Sequence, residues 1–236
     1  MKITSTSNPL IQDLVKLKKN SFRKEKQMFL CEGEDFIKEA ISSTLAKHIF
    51  YTRELNYDIP FTLVSENVLK KLSVYENSNQ PVILCSYPKL NKELGNKLVY
   101  LDYVQDPGNV GTILRTALAF SYSGVVLSST TASIYSQKVI SSSKGAIFHL
   151  PTYENITLED LKNMGYQIIV TALKDSIDYK DIKLSDKFVL VFGNEGQGVS
   201  ENSLKLASQI VKIDISDKVE SLNVAIASGI LMERYR

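Results

Sequence analysis

The sequence predicts an α/β protein whose second half contains a parallel β-sheet. In that half, apolar stretches typical of strands alternate with helix-like segments, and the stretches are KLVYLDYV, GVVLSS, YQIIVTAL, FVLVFG and QIVKIDI. Strands of a parallel sheet are buried on both faces, so their sequences are continuously apolar, as these are. The helix-like segments begin near Val110, Ser136, Leu158, Ser200 and Ser221.

The first part of the chain predicts a smaller α/β domain, residues 1–90. Three leucines recur at helical spacing after Asn8-Pro9, which predicts an amphipathic first helix. Four apolar strand-like stretches (MFLCE, HIFYT, FTLV and PVILCSY) then alternate with the helix-like EDFIKEAISS and ENVLKKLSVY. The polar stretch at 88–97, PKLNKELGNK, is predicted to be the linker to a second domain at 98–236.

Composition excludes several classes of protein. Hydrophobic residues make up 44% and charged residues 23% of the 236 residues, as in folded globular proteins. No apolar stretch approaches the ~18 residues of a membrane span, and the start MKITSTSNPL does not resemble a signal peptide, so we expect a cytoplasmic protein.

Cys31 and Cys85 lie in apolar strand-like stretches and are expected to be buried thiols. With only His48 and His149 besides, no cluster has zinc-ligand spacing, and no metal is expected.

Positive charge is concentrated at the N-terminus. Residues 1–26 contain seven basic and two acidic residues, a local charge of +5, whereas the whole chain carries only +2. Such a cluster attracts nucleic acid phosphates, although a solvated helix face is the alternative interpretation. The candidate RNA-binding residues are Lys16, Lys18, Lys19, Arg23, Lys24 and Lys26.

Ligands of open α/β sheets bind outside the carboxyl ends of the strands, and three loops there are unusual. The first, QDPGNVGTILR, leads from a strand into a helix for which Asn109 is the predicted N-cap, with Arg115 further along the helix. A capped helix with a surface arginine is the alternative. The glycine spacing fits neither the dinucleotide fingerprint nor the phosphate-binding loop.

The second loop has three glycines within residues 193–198. Because glycine is entropically costly, so many of them favour a backbone that closely approaches a flat ligand such as adenosine over a plain turn. Glu195 in this loop is a candidate to bind a ribose hydroxyl or to hold a cationic side chain such as Arg115, unless it is simply solvated.

The third loop precedes the final helix, LNVAIASGILMERYR, for which Ser221 is the predicted N-cap. The small residues Ala225, Ala227, Ser228 and Gly229 predict that one face of this helix packs closely. That face is expected to contact the sheet or a partner subunit.

Together the three loops resemble the three motifs of the SpoU (TrmH-like) RNA methyltransferases of the SPOUT superfamily. The matching residues are Asn109-x-Gly111-x-x-x-Arg115, Phe192-Gly193-Asn194-Glu195-Gly196 and Ser221-Leu222-Asn223, in the family's order and spacing. The resemblance covers residues 98–236. The stretches TSTSNPLIQDLVKL and FLCEG are similar to the ribosomal-protein-like substrate-binding domain of many members.

The resemblance implies a trefoil knot at the C-terminal end, a homodimer, and S-adenosylmethionine as cofactor. The cofactor-binding residues that it implies are Gly193, Asn194, Glu195, Gly196, Ile213, Leu222 and Asn223. This chain has Ile213-Asp214-Ile215 where relatives often have Ile-Pro-Met, and the added carboxylate bears on cofactor affinity.

The resemblance also implies methyl transfer to a ribose 2′-hydroxyl, with Arg115 as the activating residue and Asn109 and Ser221 orienting it. We favour ribosomal RNA, 23S in particular, over transfer RNA as substrate. Two other classes stay open at this point. One is a dinucleotide-binding oxidoreductase, although its fingerprint is missing; the other is an inactive RNA-binding protein, although Arg115 and the glycine loop are intact.

Overall fold

The computed structural model describes residues 2–75, 79–89 and 93–236. These residues form two compact units. The first contains the described part of 1–89 together with 135–140, and the second contains the described part of 90–134 together with 141–236. The predicted linker at 88–97 includes residues 90–92, which lie outside the described residues.

The first unit is built on a five-stranded mixed sheet in the order β1-β4-β3-β5-β2. Its elements are β1 (Lys2–Ile3), α1 (Pro9–Lys16), α2 (Asn20–Lys26), β2 (Met28–Glu32), α3 (Asp35–Ser42), β3 (Ala46–Tyr51), β4 (Phe61–Val64), α4 (Glu66–Leu72) and β5 (Val82–Ser86). The predicted helix start is confirmed, because the Asn8 side chain accepts a hydrogen bond from the amide of Leu10 and α1 begins at Pro9. The prediction of buried thiols is also confirmed, since Cys31 and Cys85 are fully buried.

The second unit is built on a seven-stranded sheet in the order β10-β12-β9-β11-β6-β7-β8, with every neighbouring pair parallel. Its strands are β6 (Lys97–Asp102), β7 (Gly124–Leu127), β8 (Thr152–Tyr153), β9 (Gln167–Thr171), β10 (Ile177–Asp178), β11 (Phe188–Gly193) and β12 (Gln209–Lys212). The further helices of the chain are α5 (Pro107–Ala119), α6 (Gln137–Ser143), α7 (Leu158–Asn163), α8 (Glu201–Leu206) and α9 (Val224–Arg234). The predicted parallel sheet is confirmed, and β8 and β10 are short additions at its edges.

The centre of this sheet explains its continuously apolar strands. Every residue of β11 is buried, and β11 lies between β9 and β6. Gly193 at the end of β11 pairs with Asp102 at the end of β6. Because the strands are parallel, the loops that follow β6, β9, β11 and β12 all leave from the same edge of the sheet.

The small residues of α9 lie where that helix packs. Ala225 and Ser228 are buried, and α9 contacts both α5 and β11. A Cβ added at Gly229 would lie 3.9 Å from Cγ2 of Thr116, which is ordinary van der Waals contact. The close packing of this helix on its own unit therefore depends on Ala225 and Ser228 more than on Gly229.

Two further findings concern the described residues as a whole. None of the helices they form has the length and apolar character needed to cross a membrane. Over the same ranges, no group of three or more His, Cys, Asp or Glu side chains is arranged to bind a metal ion.

Candidate active site

A cavity of about 740 Å³ opens at the carboxyl edge of the large sheet. This volume is within the range of small-molecule binding sites, about 300 to 1,000 Å³. The cavity lies wholly in the second unit. Its walls are the segments after β9, β11 and β12 together with the start of α9, and they include residues 171–174, 192–199 and 220–224.

The glycine loop after β11 is closed by its own backbone. Asn194 and Gly198 exchange two backbone hydrogen bonds of 2.8 and 2.9 Å. The Asn194 side-chain oxygen accepts from the amides of Gly196 and Gln197 at 2.9 and 3.0 Å. A Cβ on Gly193 would lie 2.3 Å from the carbonyl carbon of Gly198, whereas one on Gly196 would meet only Asn194 Oδ1, at 3.6 Å. Gly193 therefore serves the turn itself, and close approach of a ligand stays a prediction for Gly196.

The Glu195 carboxylate is fixed by three donors from the β6–α5 segment. Oε1 accepts from Asn109 Nδ2 at 2.9 Å and from the amide of Asp106 at 3.2 Å, and Oε2 accepts from the amide of Gln105 at 3.3 Å. Partial burial opposes ionisation, but these hydrogen bonds together outweigh it and hold the pKa of Glu195 below its ordinary value. Glu195 is therefore an oriented carboxylate, and its partners are Asn109 and backbone amides rather than Arg115.

Asn109 belongs inside α5, and its prediction as the N-cap is wrong. Asp106 caps the helix, because its Oδ1 accepts from the amide of Asn109 at 2.9 Å. Asp106 is three residues nearer the strand, and Pro107 supplies the fixed φ suited to the first turn. The Asn109 side chain is consequently available to contact Glu195.

Asn223, not Ser221, is the N-cap of α9. Its Oδ1 accepts from the amides of Ala225 and Ile226 at 2.9 and 3.3 Å, and its Nδ2 donates to Asn109 Oδ1 at 3.0 Å. The amide side chain of Asn223 accepts from the helix and donates to Asn109 at the same time. A serine hydroxyl at position 221 lies two residues further from the helix and cannot make both contacts. Glu195, Asn109 and Asn223 thus form a chain of hydrogen bonds, defined here as the three-loop network, that joins all three motif loops.

Most of the predicted site residues converge on the cavity. Those that line it are Gly193, Asn194, Glu195, Gly196, Ile213, Ser221, Leu222 and Asn223. Asn109 joins them through the three-loop network. Arg115 does not line the cavity; it is exposed on α5 and makes no hydrogen bond or ion pair with the described residues.

Several residues of the site escaped sequence analysis. Lys174, Lys212 and Glu220 also line the cavity. Asp102 is 2% exposed beneath the glycine loop. The only available signal for Asp102 was a carboxylate that ends an otherwise apolar strand.

The basic N-terminal cluster is only partly available for RNA. Arg23 is 6% exposed, and its Nη1 donates to the carbonyls of Leu17 and Lys18 at 3.1 and 2.9 Å. These carbonyls follow the end of α1, where backbone acceptors lack helical partners. The guanidinium of Arg23 therefore fixes the turn between α1 and α2, and little of it is exposed to RNA.

The five lysines of the cluster have exposed side chains with different neighbours. Lys16 pairs with Asp13 at 2.7 Å and Lys26 pairs with Glu25 at 2.9 Å. The Nζ of Lys18 donates to the carbonyls of Lys71 and Ser73. Lys19 and Lys24 are also exposed.

Replacing Asn223 by alanine is expected to lower the free energy of unfolding by about 1 to 2 kcal/mol, because α9 loses its N-cap. Asn223→Asp keeps the capping oxygen and is expected to retain most of that stability while losing the donor to Asn109. Urea denaturation followed by circular dichroism measures both. Equal loss of stability in the two variants would contradict the capping role.

Known proteins resemble this chain over nearly its whole length. The profile of the SpoU rRNA methylase family matches residues 96–233, and the profile of the MRM3-like substrate binding domain matches residues 8–83. The 23S rRNA (guanosine(2553)-2′-O)-methyltransferase RlmP of Bacillus subtilis is 33% identical over 99% of this chain and 98% of its own length.

Solved structures resemble the chain in the same way. The AdoMet-bound rRNA methyltransferase from Sinorhizobium meliloti superimposes with a TM-score of 0.87 at 27% identity, covering 99% of this chain and 96% of that one. The SpoU methyltransferase AviRb from Streptomyces viridochromogenes shares the fold, with a TM-score of 0.83, 22% identity and 96% of each chain covered. The chain therefore belongs to the SpoU methylase family of S-adenosylmethionine-dependent RNA 2′-O-methyltransferases.

Proposed function

We propose that this chain methylates a ribose 2′-hydroxyl of 23S ribosomal RNA. The observation that carries the proposal is the three-loop network beside a cavity of about 740 Å³. It brings together one residue from each of the three motifs that resemble those of the family. The relative RlmP, whose name specifies a guanosine of 23S rRNA, supports the choice of substrate.

The cavity residues fit S-adenosylmethionine. Ile213 and Leu222 offer apolar side chains to a purine ring, and the loop around Gly196 offers backbone groups close to the cavity. Lys174, Lys212 and Glu220 offer charges of both signs to a zwitterionic amino-acid group. When bound, the cofactor supplies a methyl group activated on a sulfonium.

The protein must orient the ribose hydroxyl and assist the loss of its proton. A hydroxyl is a weak nucleophile, so alignment supplies much of the rate. A guanidinium keeps its proton in proteins, which makes it a poor general base but a good partner for a developing alkoxide or an adjacent phosphate. We assign this stabilising role to Arg115, which is exposed and accessible to RNA. Ser221, exposed at the cavity, and Asn109 orient the reacting groups.

The same proposal includes the knot and the assembly. We expect the C-terminal segment to pass through a trefoil knot, because β12 inserts between β9 and β10 and α9 then returns to contact α5 and β11. The exposed apolar side chains of Leu118 on α5 and Ile226 on α9 fit an interface with a second copy, as expected of a homodimer. A ribosomal RNA substrate supports a location in the cytoplasm.

RNA affinity is proposed to depend on the exposed lysines of the N-terminal cluster. Replacing Lys19 and Lys24 by glutamine is expected to weaken binding to every RNA tested and to reduce the salt dependence of the binding constant by about one phosphate contact per lysine. Filter binding across a salt series measures this. The matched control replaces Lys38 and Lys47, exposed lysines elsewhere in the same unit, by glutamine. An identical slope in both double variants would contradict the assignment.

The function is tested with labelled S-adenosylmethionine and two unmodified RNAs, 23S ribosomal RNA and transfer RNA. We expect label in an alkali-resistant, ribose-methylated dinucleotide of 23S ribosomal RNA. Label in transfer RNA alone would overturn the proposed substrate while keeping the chemistry. Label on a base would overturn the chemistry.

A further inference from the structure

Asp102 is a buried carboxylate for which the proposed reaction has no role so far. It ends β6 and is 2% exposed. Its Oδ2 accepts two hydrogen bonds of 2.7 Å, one from the backbone amide of Ser200 and one from Ser203 Oγ. A buried charge is costly unless it is hydrogen-bonded in this way, and bonds to a carboxylate are among the strong ones.

The two donors lie at the exit of the glycine loop. Ser200 is the N-cap of α8 and directly follows the loop of residues 193–199. At the entrance of the loop, Gly193 pairs with Asp102 itself in the β6–β11 ladder. One residue therefore contacts both ends of the loop, by its backbone at the entrance and by its carboxylate at the exit.

The remaining contacts of the loop also lead to the segment after Asp102. Asn194 Nδ2 donates to the carbonyl of Tyr103 at 2.9 Å. Glu195, at the tip, is held by the amides of Gln105 and Asp106. Of these attachments, the one at Asp102 is the most deeply buried, and it holds Ser200, the residue that follows the loop and caps α8.

We infer that Asp102 is a positioning residue that holds the cofactor loop closed through Ser200 and Ser203. This inference rests on the proposed function for its consequence, because the loop lines the proposed cofactor cavity. Without the carboxylate, the loop is expected to sample open conformations. Cofactor affinity then falls in proportion to the closed fraction, so a closed population of about one tenth raises the Kd about tenfold.

The variants separate the carboxylate from other effects. Asp102→Ala removes both hydrogen bonds, and Ser203→Ala removes only one of them. Asp102→Asn keeps one acceptor oxygen and is expected to restore part of the affinity. Asp186→Asn, which removes an exposed carboxylate just before the other end of β11, is the matched control.

Two measurements test the inference. Hydrogen–deuterium exchange of the ligand-free full chain reports loop closure and does not depend on the identity of the cofactor. Titration calorimetry with S-adenosylhomocysteine reports the Kd. We expect faster exchange at residues 194–200 and a Kd raised about threefold by Ser203→Ala and about tenfold by Asp102→Ala, with kcat recovered at saturating S-adenosylmethionine.

Each result decides a different question. The inference is overturned if loop exchange is unchanged in Ser203→Ala and in folded Asp102→Ala. It is also overturned if these variants lower the melting temperature without changing the Kd, because the carboxylate then has a merely structural role. If Asp102→Ala fails to fold, Ser203→Ala and Asp102→Asn carry the test. Failure of the unaltered chain to bind S-adenosylhomocysteine overturns the proposed function, and the exchange of the loop still tests the inference.

Discussion

Replacing Arg115 by alanine is expected to lower kcat for RNA methylation by about two to three orders of magnitude, the usual cost of removing one group that stabilises developing charge. Folding and cofactor affinity are expected to stay unchanged. Arg115 is exposed, makes no hydrogen bond or ion pair with the described residues, and lies outside the cavity lining. Single-turnover methylation at saturating cofactor measures the chemical step directly.

The lysine variant distinguishes how Arg115 acts. Arg115→Lys keeps the charge but loses the planar fork that grips a phosphate or stabilises an alkoxide through two donors. We expect it to recover less than a tenth of the lost rate. Arg236→Ala, which removes an exposed arginine that pairs with Glu233 at 3.7 Å, is the control and is expected to methylate normally. A cofactor Kd that rises in step with the loss of rate in Arg115→Ala would place Arg115 in the cofactor site instead.

The large sheet could be predicted from sequence because the apolar character of each central strand is visible within the strand's own few residues. A strand such as FVLVFG is apolar at every position, and only burial on both faces makes such a sequence stable. The edge strands β8 and β10 have two residues each. Strands this short show no sequence periodicity from which they could be predicted. The sequence therefore predicts the middle of the sheet well and its edges poorly.

The helix caps show where local chemistry is insufficient. Asp106 and Asn109 both have side chains suited to an N-cap, as do Ser221 and Asn223. Asn109 and Asn223 also take part in the three-loop network, in which Asn109 donates to Glu195, 86 residues away in the sequence, and accepts from Asn223. Since these contacts form only in the folded protein, residue type and spacing could locate the loops but could not assign the caps.

The basic cluster illustrates a similar limit for charge. Counting charges over residues 1–26 treats all basic side chains as equivalent. The turn between α1 and α2 makes Arg23 different, because it places backbone carbonyls around the guanidinium and buries it. Which cation of a cluster is structural depends on that turn and on α2, a helix that the sequence pattern did not predict.

Of all substitutions that add one methyl group to the site, Gly193→Ala is expected to weaken cofactor binding most. The new Cβ would lie 2.3 Å from the carbonyl carbon of Gly198 and 2.4 Å from the amide nitrogen of Val199. Both neighbours are backbone atoms, so no side-chain rotation can relieve the contact. We expect the loop to open, the S-adenosylhomocysteine Kd to rise by more than about a hundredfold, and stability to fall by about 1 to 3 kcal/mol.

The matched variant is Gly196→Ala, three residues further along the same loop. Its Cβ would meet only Asn194 Oδ1, at 3.6 Å, so the loop is expected to stay closed and the protein to keep its stability. Any loss of affinity in Gly196→Ala then reports close approach of the cofactor to the backbone, whereas the loss in Gly193→Ala reports loop closure. Calorimetric titration and thermal unfolding of both variants separate the two causes. Full cofactor affinity in Gly193→Ala would mean that the closed loop is not required for binding, because a Cβ and the present path of residues 198–199 cannot occupy the same space.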